Sequence, residues 1–104
     1  MTIQPILNRN LPRIAQILKQ NQVKRAYAFG SVCTERFGPD SDVDLLIAFE
    51  EGLDPVTYAE NYFAIAEALE DLLQRPVDLI TESSLKNPYF IKVLNQTKTP
   101  IYEG

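Results

Sequence analysis

The chain has 104 residues, 45% hydrophobic and 23% charged, which predicts one domain (residues 1–104) around one modest core. A net charge of −4 and a pI near 4.7 argue against a broad basic surface for nucleic acid, and the absence of histidine removes zinc-hydrolase, Ser-His and Cys-His chemistries. The single Cys33 excludes an internal disulfide framework and fits a reducing compartment; with no signal-peptide pattern and no apolar run near the roughly 18 residues of a membrane span, a cytoplasmic protein without membrane contact is expected.

Pro5 and Pro12 cannot share one unbroken helix, which leaves residues 1–9 ambiguous. Asn10-Leu11-Pro12 reads as a helix start, with a capping Asn and a proline in the first turn. Leu11, Ile14, Ile17 and Leu18 then recur at helical spacing as far as Gln20-Asn21-Gln22. Val23 to Phe29 reads as a strand with Lys24-Arg25 near its entry. Residues 31–41 read as an irregular or one-turn helical link, with Gly38-Pro39-Asp40 as a turn signal.

Asp42 to Phe49 reads as a second strand. Beyond Asp44 it is apolar on both faces, with Leu46 and Ala48 on one and Val43, Leu45, Ile47 and Phe49 on the other, the pattern of a central strand. Six of the fourteen acids, Asp40, Asp42, Asp44, Glu50, Glu51 and Asp54, lie between residues 40 and 54; Glu50, Glu51 and Asp54 read as a solvated loop. Asp54-Pro55 starts a helix that runs to Leu73. Its apolar face is expected to hold Tyr58, Ala59, Tyr62, Phe63, Ala66, Leu69, Leu72 and Leu73, with the two tyrosines packing into the core.

Gln74-Arg75-Pro76 breaks that helix, and Val77 to Thr81 reads as a third strand with Asp78 inside it. An acid there is either solvent-facing on an edge strand, paired with a cation such as Arg75, or part of a site with Asp42 and Asp44. Asn87-Pro88 starts a last helix with Ile91, Val93 and Leu94 as its apolar positions, and Thr99-Pro100-Ile101-Tyr102 reads as an extended tail. The elements predict an α/β (α+β) fold, a small mixed sheet of three to four strands flanked by helices.

The chemistry concentrates between Phe29 and Phe49. Alternate residues of a strand point the same way, about 6.5–7 Å apart, so Asp42 and Asp44 present two carboxylates side by side. Like charges so placed raise each other's pKa, and a divalent cation relieves the repulsion. Hard oxygen ligands of this kind suit Mg²⁺ together with substrate phosphates. Gly30-Ser31, at the end of a strand, allows a close backbone approach and offers a hydroxyl and N–H groups to phosphate oxygens.

Gly30-Ser31, ten residues, then Asp42-x-Asp44 resembles the signature of the nucleotidyltransferase superfamily that includes DNA polymerase β. The phrasing Ala28-Phe29-Gly30-Ser31 and Pro39-Asp40-Ser41-Asp42-Val43-Asp44-Leu45-Leu46-Ile47 is most similar to its smallest branch, the minimal nucleotidyltransferases (MntA-like antitoxins), over about residues 11 to 102. The resemblance implies a polymerase β-like fold and two Mg²⁺ ions held by Asp42, Asp44 and Asp78. It implies Gly30 and Ser31 on the phosphates of ATP, and Asp78 as the third carboxylate and base. Where relatives carry basic residues soon after Gly-Ser, this chain reads Val32-Cys33-Thr34-Glu35, with Arg36 later; Arg36, Lys24 and Lys92 are the cations left for the triphosphate. The resemblance further implies a HEPN-domain toxin as partner, AMP transfer from ATP to a tyrosine hydroxyl of that toxin, and no acceptor-binding domain. The alternative it leaves is an antitoxin of weak or no catalytic activity that neutralises the toxin by binding it.

Overall fold

Two helices accommodate the two N-terminal prolines in the computed structural model, which describes residues 5–30 and 42–104. They are α1 (Pro5–Arg9) and α2 (Leu11–Gln20), each with its proline in the first turn, where no helical N–H is needed. Asn10 is not the expected side-chain cap of α2. Its amide donates instead to the Ile6 carbonyl at 2.6 Å, because the residue also closes α1, and α2 begins without a capping bond.

The chain then forms β1 (Val23–Phe29), β2 (Val43–Phe49), α3 (Pro55–Leu73), β3 (Val77–Thr81), a 3-10 turn (Glu82–Ser84), α4 (Pro88–Thr97) and β4 (Thr99–Glu103). Among the described residues the sheet is four-stranded and mixed, in the order β3-β2-β1-β4. β2 is central as expected, antiparallel to β1 and parallel to β3. The parallel pair requires a crossover, which α3 supplies. The C-terminal stretch expected as a tail is a strand, paired antiparallel with β1 from Arg25↔Glu103 to Ala28↔Thr99.

The inner face of the sheet carries Ala26, Ala28, Val43, Leu45, Ile47, Val77 and Leu79. It is buried against Leu7, Ile14 and Leu18 of α1 and α2 and Ile65, Leu69 and Leu73 of α3. Tyr62, Ala66, Leu69, Leu72 and Leu73 of the expected face of α3 do pack on the core, but the face is centred differently: Ile65 is fully buried, whereas Phe63 is 68% exposed. α3 is apolar around much of its circumference, so packing against β3 decides its rotation, and the Tyr62 hydroxyl fixes it by donating to the Leu79 carbonyl. The outer face is thinner. There Phe29, Leu46 and Leu94 form a small cluster under α4, with Tyr27, Ile80 and Leu85 packed against it.

β3 lies at the edge of the sheet, and three of its outward peptide groups are met by side chains. The Pro76 carbonyl faces β2, accepting from Val43 N–H, so Val77, Leu79 and Thr81 turn theirs outward. Glu70 accepts from Val77 N–H at 3.0 Å, Tyr62 donates to the Leu79 carbonyl, and Ser84 donates to the Thr81 carbonyl at 2.8 Å. An edge blunted in this way is a poor template for further strand pairing.

Candidate active site

β1, β2 and β3 bring three residues into one row on the outer face. Phe29 is the register partner of Asp44, and Asp44 is that of Asp78. Neighbouring strands lie about 4.8 Å apart, so the two carboxylates stand side by side at adjacent strand positions. The reason is local. β2 and β3 start level because Pro76 hands its carbonyl to Val43 N–H, and each carries its acid one residue later. Asp78 is exposed on the edge strand, as the solvent-facing placement expects, and it adjoins Asp44. Asp42 is exposed, one residue outside β2 rather than at its start.

Gly30 closes the row from β1. It has φ +73°, a left-handed conformation that favours glycine, and a Cβ at this position would collide with the Asp44 carboxylate at Oδ2. The backbone therefore passes directly over Asp44, which only the absence of a side chain allows.

Asp44 is half-buried, and its pKa is pushed up to about 6 by burial first, then by the Asp78 charge, then by Asp42. The ionised carboxylate is under electrostatic stress from the two acids expected beside it. Among the described residues no group of three or more His, Cys, Asp or Glu side chains is drawn into a ready-made metal cage. The donor set still fits a hard cation: oxygen-only ligands, one of them held above its ordinary pKa by burial and then by like charge, favour a divalent ion whose remaining positions go to phosphate oxygens.

Ser31, the second residue of the phosphate-binding pair, lies outside the described residues, as do the link over 31–41, its Gly38-Pro39-Asp40 turn and Arg36. Lys24 stands at the other end of β1 from Gly30, beside Arg25 and Lys98, and lines a separate cleft. Lys92 is exposed on α4. Cavities of about 440, 450 and 410 Å³ open elsewhere, and none of them is lined by Asp42, Asp44 or Asp78. The acids, and not the hollows, mark the candidate site.

Residues 11–98 match the family described as nucleotidyltransferase domain. The chain belongs to this family. A Methanocaldococcus jannaschii protein provisionally named protein adenylyltransferase MJ1379 is 32% identical over 96 residues, 85% of this chain and 94% of the relative. A solved structure provisionally described as a minimal nucleotidyltransferase superposes with a TM-score of 0.74 at 29% identity, covering 95% of this chain and 96% of the other. A chain from the complex of tri-AMPylated Shewanella oneidensis HEPN toxin with its MNT antitoxin superposes with a TM-score of 0.65 at 19% identity, covering 93% and 72%. The expected fold, a mixed sheet of minimal nucleotidyltransferase type, is the observed one.

The sequence reading missed what Gly30 does to Asp44. The signal was present in Phe29-Gly30, but only the pairing of β1 with β2 shows which side chain the glycine must clear.

Proposed function

We propose that the protein is an adenylyltransferase antitoxin: it transfers AMP from ATP to a tyrosine hydroxyl of a HEPN-domain toxin and so silences it. The observation that carries this reading is the register of Asp44 against Asp78 beneath the Gly30 backbone, in a chain of the nucleotidyltransferase family. Relatives named as protein adenylyltransferases and the fold shared with a toxin–antitoxin complex support the choice of acceptor.

Asp42, Asp44 and Asp78 would hold two Mg²⁺ ions, and Gly30 with Ser31 would receive the β- and γ-phosphates. When bound, the metal supplies positive charge that neutralises the triphosphate and makes the acceptor hydroxyl more acidic. The residues of the chain align the reactants. Gly30 lets the phosphates approach Asp44 without steric conflict, and Asp78, exposed at the sheet edge, faces the acceptor and takes its proton. The acceptor oxygen bonds to the α-phosphorus, the bond from that phosphorus to the β-bridging oxygen breaks, and pyrophosphate leaves. Alignment and charge neutralisation carry such a reaction, which asks little covalent work of side chains.

Incubation with ATP, Mg²⁺ and a cognate HEPN protein, followed by intact-mass measurement, tests this. Addition of AMP units by the wild type and not by Asp42→Asn/Asp44→Asn is the expected result. Neutralisation of the toxin by that double variant, with no mass added by either protein, overturns it in favour of masking.

A further inference from the structure

Phe29 stands in the same row as Asp44 and Asp78, on the same face, and is itself buried. Its ring meets Phe90 at 78° with centroids 6.4 Å apart. Phe90 is held in place from its own element: it lies in the first turn of α4, where the Asn87 side chain accepts from the N–H groups of Tyr89 and Phe90 at 2.9 and 3.3 Å. The turn that carries Phe90 is thus anchored, and its ring, in edge contact with Phe29, remains 37% exposed. A perpendicular contact leaves a parallel stack unmade.

We propose that Phe90 is a base-stacking platform, on which the nucleobase of a bound nucleoside triphosphate lies while the phosphates face Asp44 and Gly30. This rests on the nucleotidyl-transfer reading and adds the subsite for the nucleoside. The nucleoside is tethered to the phosphates, so its base settles near the row that ends in Phe29, and among the described residues Phe90 is an exposed ring in contact with that row. No base-reading motif stands in the sequence, and none is needed here, because every base has a π-face and stacking tolerates all four. The larger rings of purines gain more from it than pyrimidines do. Tyr89, also in the first turn of α4 and 77% exposed, serves as the control.

Calorimetric titration of the full chain with ATP and with inorganic tripolyphosphate, both with Mg²⁺, tests the platform. Phe90→Leu keeps apolar volume against Phe29 and removes the flat face. It is expected to weaken ATP binding about ten-fold or more and to leave tripolyphosphate binding unchanged. Phe90→Tyr keeps the flat ring and should bind ATP like the wild type, as should Tyr89→Ala. Equal ATP affinity in Phe90→Leu and wild type overturns the proposal. So does equal loss of both ligands in Phe90→Leu, which would make the ring structural, or loss of ATP in Phe90→Tyr. A wild type that binds neither ligand removes the nucleotidyl-transfer reading, and this subsite with it.

Discussion

The two faces of β2 differ more than any two distant parts of the chain. On the inner face Val43, Leu45 and Ile47 are completely buried against α1, α2 and α3. On the outer face, one residue out of phase, Asp44 is followed by Leu46 under α4. The pleat alone separates them, so adjacent residues answer to opposite demands. One face is optimised for burial, and the other keeps a carboxylate above its ordinary pKa. Stability and chemistry should then be separable by substitutions one residue apart.

The strongest test of that contrast pairs Leu45→Ala with Asp44→Asn. Leu45→Ala should cost about 2–5 kcal/mol in urea unfolding, since it removes a fully buried side chain. Asp44→Asn should do the reverse. Its folded pKa, about 6, lies above the ordinary 3.8, so the native state binds this proton more tightly than the unfolded chain does. Stability from this group therefore falls as pH rises from 3.8 to about 6, by about 1 kcal/mol once screening of a half-buried group is allowed for. Asp44→Asn should remove that slope and melt higher at pH 7, while AMP transfer drops by at least about a hundred-fold. An Asp44→Asn variant that melts lower than wild type at pH 7 would break the comparison.

A glycine pair sharpens it. Gly30 and Gly52 both have positive φ, +73° and +86°, but a Cβ meets Asp44 at the first and nothing within 4 Å at the second. Alanine should cost about 1 kcal/mol of backbone strain at either position. Only Gly30→Ala should also displace the Asp44 carboxylate and depress transfer. Thermal melts and the mass assay on both variants separate strain from displacement; equal activities would mean that Gly30 is conformational only.

The sequence shows the same division. The spans of β3 and α3 were legible, because Pro55 and Pro76 punctuate them and Asp54 caps α3 through Thr57 N–H at 3.1 Å. The central place of β2 followed from apolar residues on both faces. The rotation of α3 was legible only in part: Tyr62, Leu69 and Leu73 pack as read, but a helix apolar around much of its girth gains its final phase from what it packs on, here turning Ile65 in and Phe63 out. β4 was missed for a related reason: Thr99–Glu103 is short and partly polar, and is a strand only because β1 offers an edge. At the site, the spacing of Gly30, Asp42 and Asp44 was readable. The matching of Asp44 to Asp78 depends on how Pro76 and Val43 start their strands together, a long-range hydrogen bond that no local pattern encodes.

A milder effect is expected at the edge of β3. Tyr62→Phe keeps the ring and removes the hydroxyl that satisfies the Leu79 carbonyl. The loss should be about 0.5–1.5 kcal/mol. Hydrogen exchange should quicken in β3 more than in β2, because the bond anchors the edge strand and not the centre. Uniform acceleration across the sheet would place Tyr62 in the global core instead.

The smallest effect belongs to Glu82, near the end of the sheet remote from Asp44. Arg25 donates to it through Nε and Nη2 at 2.8 and 2.7 Å, and this hydrogen bonding holds the Glu82 carboxyl below its ordinary 4.5. The sign is opposite to that of Asp44. The unfolded chain protonates Glu82 first, so its contribution is present above pH 4.5 and is lost as pH falls through the lower folded value. Because the pair is partly exposed, Glu82→Gln should shift the midpoint only slightly at pH 7, and less at high salt. What it should change clearly is the shape of the pH profile. Asp44 weakens the fold on the way up from 3.8, Glu82 weakens it on the way down from 4.5, and the wild type should be most stable near where these limbs meet. Glu82→Gln should flatten the acid limb alone and Asp44→Asn the other limb alone, with transfer lost only in the second. Loss of both limbs in either variant would mean that the two ends of the outer face are coupled.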